Sequence, residues 1–254
     1  MSAAPPVTVV DLSERGDGGL VVAAATHIGP VRTENQDAFA TTPLHGSGIG
    51  LVVADGMGGM PGGGDAARVA SAASIDALRA GAGERADVEL AVRAANVAVA
   101  HLRDGLGGQP GTTLTLAAVR DGRAVLGHAG DSRAYLIRGG VASVLTSDHS
   151  WVGEQVRAGA LPPGSERRHP RRNLITMAVL GEPMDPQVVD IELLGDDLLM
   201  LCSDGFWEPL TDEHIALLLE APGPLTAVVE RAAAAALDAG GTDNVTLLAL
   251  RFPR

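Results

Sequence analysis

Residues 112–138, TTLTLAAVRDGRAVLGHAGDSRAYLIR, contain three apolar, strand-like runs separated by very short connections. The runs cover 112–120, 123–128 and 133–138, and only Asp121-Gly122 and residues 129–132 lie between them. A parallel pair of strands needs a crossover of about a dozen residues, whereas an antiparallel pair needs only a tight turn. The stretch therefore predicts an antiparallel sheet.

The rest of the chain alternates between blocks of strands and blocks of helices. Further strands are predicted at 20–26, 49–54, 198–202 and 245–252. Helices are predicted at 65–80, 87–103, 151–160, 212–220 and 224–238. Because strands and helices do not alternate one by one, the fold class is α+β.

Length and composition favour one compact domain. The chain has 254 residues, of which 46% are hydrophobic, 20% are charged and 2% are aromatic. Its core must therefore consist mainly of Ala, Val, Leu and Ile. Residues 1–19 combine Ala-Pro-Pro with ERGDGG and are expected to form a mobile tail, followed by a single domain over 20–254.

The charge balance excludes several classes of function. All 19 cationic side chains are arginine, and 31 acidic residues bring the net charge to −12. An acidic protein repels nucleic acid and anionic membranes, so neither is an expected partner. The absence of lysine excludes Schiff-base chemistry and a P-loop. With one cysteine and no apolar run of membrane-spanning length, we expect a soluble, cytoplasmic monomer.

Aspartates stand at the ends of the apolar strands. Asp55 follows LVVA, Asp131 lies in a hairpin turn, Asp204 follows LMLCS and Asp243 precedes VTLLAL. Carboxylates that converge at buried strand ends repel one another unless cations compensate them. Oxygen ligands favour Mg²⁺ or Mn²⁺ over Zn²⁺, and the histidines show no metal-ligand spacing. The alternative is that each Asp-Gly pair is an ordinary turn.

Six motifs occur in an order that resembles the metal-dependent serine/threonine protein phosphatases of the PP2C (PPM) family. They are RTENQDA at 32–38, DGMGG at 55–59, GTT at 111–113, HAGDSR at 128–133, SDG at 203–205 and TDNV at 242–245. The similarity extends from about residue 22 to residue 252. It implies two stacked antiparallel sheets with helices on both outer faces and a two-metal site at one edge of this sandwich.

The resemblance also implies metal ligands. Asp55 would bridge two ions and the Gly56 carbonyl would bind one of them. Asp204 and Asp243 would complete the coordination of the first ion.

Two further aspartates have supporting roles in the family pattern. Asp37 would lie in or near the surroundings of the two ions, where it would hold metal-bound waters. Asp131 matches a position that supports a third ion together with Asp204 in bacterial members. The expected cofactors are therefore two, or three, Mn²⁺ or Mg²⁺ ions.

The implied reaction is hydrolysis of phosphoserine or phosphothreonine without a phospho-enzyme. A water shared by two divalent ions is acidic enough to act as a nucleophile near neutral pH. Arg32 matches the family arginine that binds the phosphate, and its guanidinium fork suits two phosphate oxygens. Arg32 and Asp55 are thus the predicted catalytic residues, the alternative for Arg32 being an ordinary exposed arginine.

The only dense basic run is ERRHPRR at 166–172, inside the variable flap region of the family, here 151–186. Its arginines could select phosphopeptides by charge, and Arg168 and Arg171 are the predicted substrate-binding residues. The alternative is a solvated loop.

The leaving-group acid is not identifiable from the sequence. Met57 occupies the position of the histidine that serves this purpose in eukaryotic members, and Met60 replaces a histidine that is frequent in bacterial ones. His128 is a candidate, although a strand-end histidine is more often structural. Cys202, within an apolar run, is predicted to be an inert core residue.

The resulting function is a Mn²⁺- or Mg²⁺-dependent phosphatase acting on phosphorylated proteins, opposing a bacterial Ser/Thr kinase. One alternative is a weakly active pseudophosphatase that binds phosphoproteins. A two-metal nuclease is a third possibility, which the acidic composition disfavours.

Overall fold

Two antiparallel sheets stack face to face in the computed structural model, which describes residues 6–12, 19–57, 62–106 and 108–253. The six-stranded sheet has the order β1-β2-β11-β10-β7-β8. Its strands are β1 Thr8–Asp11, β2 Val21–His27, β7 Arg133–Arg138, β8 Val141–Val144, β10 Leu198–Cys202 and β11 Val245–Arg251. The five-stranded sheet has the order β3-β4-β5-β6-β9. Its strands are β3 Asp37–Pro43, β4 Ile49–Asp55, β5 Leu114–Arg120, β6 Arg123–Ala129 and β9 Gln187–Glu192.

Helices cover the outer face of each sheet. The two long helices, α1 Gly63–Ala80 and α2 Arg85–Leu106, pack on the five-stranded sheet. The six-stranded sheet is covered by α4 Asp204–Trp207, α5 Asp212–Leu219 and α6 Leu225–Asp238. A separate segment contains α3 Trp151–Arg157 and a 3₁₀ helix at Ser165–Arg167. The predicted α+β sandwich is confirmed.

Alternation along the central strands produces these layers. In β10, Leu199 and Leu201 face the other sheet, whereas Leu198, Met200 and Cys202 face the helices. Side chains of a strand point alternately to its two faces, so a run that is apolar throughout fits a strand buried on both sides. Cys202 is fully buried, and burial raises the pKa of its thiol. The prediction of an unreactive core cysteine agrees with this environment.

The expected mobile tail is wrong for residues 8–11. These residues form β1, which pairs with β2 from Thr8 opposite Thr26 to Asp11 opposite Ala23. Val7 and Val9 pack against the core beneath α6, and this apolar contact holds the strand in place. Residues 1–5 and 13–18 of the same prediction lie outside the described residues.

No helix in the described part of the chain is both long and apolar enough to cross a membrane.

Candidate active site

A cavity of ≈ 320 Å³ opens where several strand ends and loops meet. It is lined by Arg32, Gln36, Asp55, Gly56, Met57, Thr113, Asp131, Asn173, Ile175, Asp204 and Asp243. The lining thus brings together most of the site residues predicted from the sequence, although they are spread over more than two hundred positions. The predicted residues absent from the lining are Asp37, Arg168 and Arg171.

The backbone around Asp55 is fixed by the next strand of the sheet. The Asp55 N–H donates to the Thr113 hydroxyl at 3.0 Å, and the Asp55 carbonyl accepts from the Thr113 N–H at 2.8 Å. The Thr113 hydroxyl is also bonded to the Ser132 hydroxyl at 2.7 Å. These bonds fix the backbone of Asp55 at the end of β4 and thereby position its carboxylate. The site is therefore built on the sheet rather than on a free loop.

Asp37 lies beside Asp55 in the sheet register. The two residues are direct cross-strand partners at the open end of the hairpin, where β3 begins and β4 ends. One carboxylate oxygen of Asp37 accepts from the Ser203 hydroxyl at 2.8 Å. Its Oδ1 is buried and has no hydrogen-bond partner among the described residues. Asp37 therefore lies next to the cavity, beside the lining residue Asp55, and does not itself line the cavity.

The cavity carries an excess of buried negative charge. Burial is the main cause that raises the pKa of Asp55 and of Asp204 well above the ordinary value, and repulsion from neighbouring carboxylates is the second. The same causes raise the pKa of Asp37 to about 6 and that of Asp131 to about 7. In addition, the buried Oδ1 of Asp204 has no partner in the described structure. Nearby cations would stabilise the ionised form of these carboxylates.

Arg32 supplies one such cation. Its guanidinium donates to Asp243 Oδ2 at 2.6 Å, and its side chain is 42% exposed. The other oxygen of Asp243 accepts from the backbone N–H of Asn244 at 2.8 Å. Arg32 therefore lies at the rim of the cavity, where it could reach an anion from solvent.

The chemistry of the donors fits a hard divalent ion. The aspartates and a backbone carbonyl at Gly56 form an all-oxygen set, which suits Mg²⁺ or Mn²⁺. As they stand, however, no three His, Cys, Asp or Glu side chains in the described ranges form a ready-made metal cluster. Asp243 is engaged by Arg32. Ion binding at this position would therefore require the carboxylates to rearrange, and the unpartnered oxygens of Asp37 and Asp204 favour such binding.

The flap region contributes Asn173 and Ile175 to the lining, which the sequence reasoning missed. Nothing in the irregular sequence around them marks a side chain that faces a cavity. Arg168 is exposed and Arg171 stacks at 4.9 Å over the ring of Trp151. Gln36 and Thr113 were also missed as individual residues, although they lie within the motifs RTENQDA and GTT.

His128 does not reach the cavity. It is completely buried, its Nδ1 is bonded to the Thr115 hydroxyl at 2.9 Å, and its ring stacks on His149 at 4.9 Å between centroids. Burial lowers the pKa of His128 to about 3. The imidazole is therefore neutral at physiological pH, and its ring contributes to the packing of the protein interior. Met57 lines the cavity and has no proton to donate, whereas Met60 lies outside the described residues.

Comparison with known proteins gives a consistent result. The sequence profile of the Protein phosphatase 2C family matches residues 27–239. Serine/threonine protein phosphatase PstP of Mycobacterium tuberculosis is 36% identical over 232 residues, which are 89% of this chain and 44% of PstP. The chain thus spans less than half the length of this relative. Protein phosphatase PhpP of Streptococcus pneumoniae is 32% identical, and the match covers 89% of this chain and 95% of PhpP.

Solved structures agree with the sequence matches. The serine/threonine phosphatase PstP/Ppp of M. tuberculosis superposes with a TM-score of 0.84 at 34% identity, covering 92% of this chain and 99% of that one. The catalytic domain of PstP in complex with two manganese ions gives a TM-score of 0.82 at 32% identity, with the same coverage. Stp1 of Staphylococcus aureus gives 0.87 at 28% identity, covering 95% of this chain and 99% of Stp1.

Proposed function

The chain belongs to the protein phosphatase 2C family, and we propose that it hydrolyses phosphoserine and phosphothreonine in proteins with the help of Mn²⁺ or Mg²⁺. The observation that carries this proposal is the cavity in which Asp55, Asp131, Asp204 and Asp243 surround a space next to the guanidinium of Arg32. The aspartates suit divalent ions and the guanidinium suits a phosphate.

Each predicted ligand has a place in this proposal. Asp55, the Gly56 carbonyl, Asp204 and Asp243 would hold two ions, and Asp131 would support a third together with Asp204. The count of two is supported by the manganese complex of the relative PstP. Bound divalent ions would offset the carboxylate repulsion, polarise the phosphoryl oxygens and lower the pKa of coordinated water.

The residues of the chain itself provide binding and orientation. Arg32 would exchange its bond to Asp243 for two phosphate oxygens, because its side chain already lies at the rim. Met57 and Ile175 form an apolar part of the wall, against which the phosphorylated side chain can lie.

The lining favours direct attack by water over a phospho-enzyme. The Thr113 hydroxyl is already bonded to Ser132 and to the Asp55 N–H. The described lining contains no cysteine, histidine or serine, and its four aspartates, which could otherwise act as nucleophiles, are assigned here to the ions.

Phosphorylated proteins are the proposed partners, and a bacterial Ser/Thr kinase is the proposed opposing enzyme. The monomeric state and the cytoplasmic location expected from the sequence remain predictions. A phosphoprotein-binding pseudophosphatase is the less favoured alternative, since a binding module has no need for two buried carboxylates, those of Asp37 and Asp204, with unpartnered oxygens.

Hydrolysis assays with Mn²⁺ test the proposed function. The protein should release phosphate from a phosphothreonine peptide and from p-nitrophenyl phosphate, and EDTA should abolish both activities. Asp55→Asn should lower kcat by more than about a hundredfold because the residue is expected to bridge the ions.

Asp121→Asn is the matched control, since Asp121 lies in a tight turn outside the cavity lining and is expected to be neutral for activity. Tight phosphopeptide binding without turnover would support the pseudophosphatase instead. Wild-type rates in Asp55→Asn would contradict the assigned role.

A further inference from the structure

The side chain of Asn244 holds both ends of the loop that carries Arg32. Its amide nitrogen donates to the carbonyl oxygen of Ile28 at 2.7 Å and to that of Glu34 at 3.0 Å. Its amide oxygen accepts from the backbone N–H of Gln36 at 2.8 Å. Asn244 is only 3% exposed, so these bonds are made in a nearly dry environment, where they constrain the backbone strongly.

The loop rests directly on the backbone that precedes Asn244. Gly29 has φ +80°, and a Cβ on it would lie 2.2 Å from the carbonyl oxygen of Asp243. Only glycine allows so close an approach in this conformation. The segment between the two carbonyls held by Asn244 is exposed from position 30 to position 34, so its conformation depends on its ends.

We infer that Asn244 is a positioning residue that fixes the guanidinium of Arg32 at the rim of the cavity and thereby sets the affinity for the phosphate group of the substrate. This inference rests on the proposed function. Asn244 makes backbone hydrogen bonds and lies outside the cavity lining, so we assign it no direct contact with substrate. The phosphate contact itself would remain the task of Arg32.

The chemistry of the side chain explains why asparagine stands here. The loop presents two acceptors and one donor, and a primary amide offers two donors and one acceptor to match them. Aspartate has the same size but lacks both donors, and it would place negative charge against two carbonyl oxygens. Alanine would leave all three backbone groups without their partner.

A double-mutant cycle with Arg32 tests the inference at saturating Mn²⁺. Asn244→Ala should raise KM for a phosphothreonine peptide by about tenfold and change kcat by less than about threefold. Because Asn244 acts through Arg32, the double variant Asn244→Ala/Arg32→Ala should be no worse than Arg32→Ala alone. Asn96→Ala is the matched control: Asn96 also links a backbone N–H and a carbonyl, at Gly181 and Glu182, outside the cavity lining.

Two further readouts separate positioning from general stability. Amide hydrogen exchange should accelerate in residues 28–36 of Asn244→Ala and stay at the wild-type rate in β10. Inhibition by inorganic phosphate should weaken together with peptide affinity. Asn244→Asp provides an isosteric second variant with the same expected pattern if Asn244→Ala does not fold.

Additive losses in the cycle, or unchanged exchange in residues 28–36, would overturn the inference. Wild-type protein without any Mn²⁺-dependent hydrolysis would instead contradict the proposed function, and the exchange experiment would still judge the role of Asn244 in holding the loop.

Discussion

His128 illustrates how burial decides the behaviour of a single side chain beside the site. The residue has no exposed surface, and burial together with the neighbouring His149 lowers its pKa to about 3. Its Nε2 has no partner among the described residues, so protonation would place an uncompensated charge in the core. The neutral imidazole is therefore the form that the fold requires.

This requirement predicts acid sensitivity. An unfolded histidine has a pKa of about 6.5, so the unfolded chain binds the proton in a range where folded His128 does not. Stability from this residue is complete above about pH 6.5 and is lost progressively as the pH falls towards 3. At pH 5 the loss should be about 2 kcal/mol. Urea denaturation of wild-type protein and of His128→Asn between pH 7.5 and pH 5 measures it.

The free energy of unfolding should depend less steeply on pH in His128→Asn than in wild-type protein. The difference in slope should correspond to about one proton, even if the variant is less stable at every pH. The aspartates of the cavity titrate in both proteins, so their contribution cancels in the comparison. His214→Asn, on the exposed side of α5, is the control and should keep the wild-type slope. Identical slopes for His128→Asn and wild-type protein would refute the prediction.

At the scale of elements, the flap region is tied to the body of the protein by two of its four clustered arginines. Arg167 donates to the carbonyl oxygens of Trp207 and Leu210 and pairs with Asp212. Arg172 forms an ion pair with Glu208 at 2.9 Å. These arginines have structural partners, so the basic run is not a uniform surface that is free to bind substrate.

Arg168 and Arg171 remain the candidates for substrate contacts. The double variant Arg168→Gln/Arg171→Gln should raise KM for an acidic phosphopeptide by about three- to tenfold, because each exposed charge contributes modestly. Turnover of p-nitrophenyl phosphate should stay unchanged, since neither residue lines the cavity. Steady-state kinetics at low and high salt measure both effects.

Arg79→Gln/Arg93→Gln removes the same charge from exposed positions on α1 and α2 and should leave both substrates unaffected. Equal losses on the peptide and on the small substrate in the flap variant would show that these arginines support the flap instead.

Among the strands, the predictable ones were those buried on both faces. The predicted bounds of the central strands β2, β4, β5, β6, β7, β10 and β11 lie within three residues of the observed ones. The strands that were missed, β1, β3, β8 and β9, are the four edges of the sheets. Edge strands are partly exposed and carry mixed sequences, so hydrophobic periodicity does not reveal them. Asn173 and Ile175 were missed because an irregular segment has no periodicity that would indicate which side chains face the cavity.

At the scale of the whole molecule, antiparallel topology explains why so dispersed a set of aspartates could be predicted. Strands β4 and β10 end, and β11 begins, beside one cavity. A carboxylate at each of these points therefore reaches a common space. The pattern of aspartates at the ends of apolar strands indicated this convergence but left ordinary Asp-Gly turns as the alternative, and the resemblance to the PP2C family supplied the individual roles. The Arg32–Asp243 ion pair could not be predicted, because it depends on how a loop packs against a strand 211 positions away.

The same convergence makes the stability of the whole molecule depend on pH and metal in a linked way. Folding raises the pKa of Asp37 to about 6 and that of Asp131 to about 7, so the folded, metal-free protein binds more protons than the unfolded chain. The contribution of these two carboxyl groups to stability should therefore fall as the pH rises from about 4 through 7, whereas the contribution of His128 rises up to about pH 6.5. Metal ions compete with these protons, so added Mn²⁺ should raise Tm more at pH 8 than at pH 6. Thermal unfolding with Mn²⁺ or EDTA at both pH values tests this expectation.

The double variant Asp55→Asn/Asp204→Asn removes two buried carboxylates. It should raise the metal-free Tm at pH 8 and abolish most of the response of Tm to Mn²⁺, whereas Asp121→Asn should behave as wild type. A metal-free Tm that increases from pH 6 to pH 8 would contradict the view that these carboxylates repel one another in the metal-free protein and that bound ions offset this repulsion.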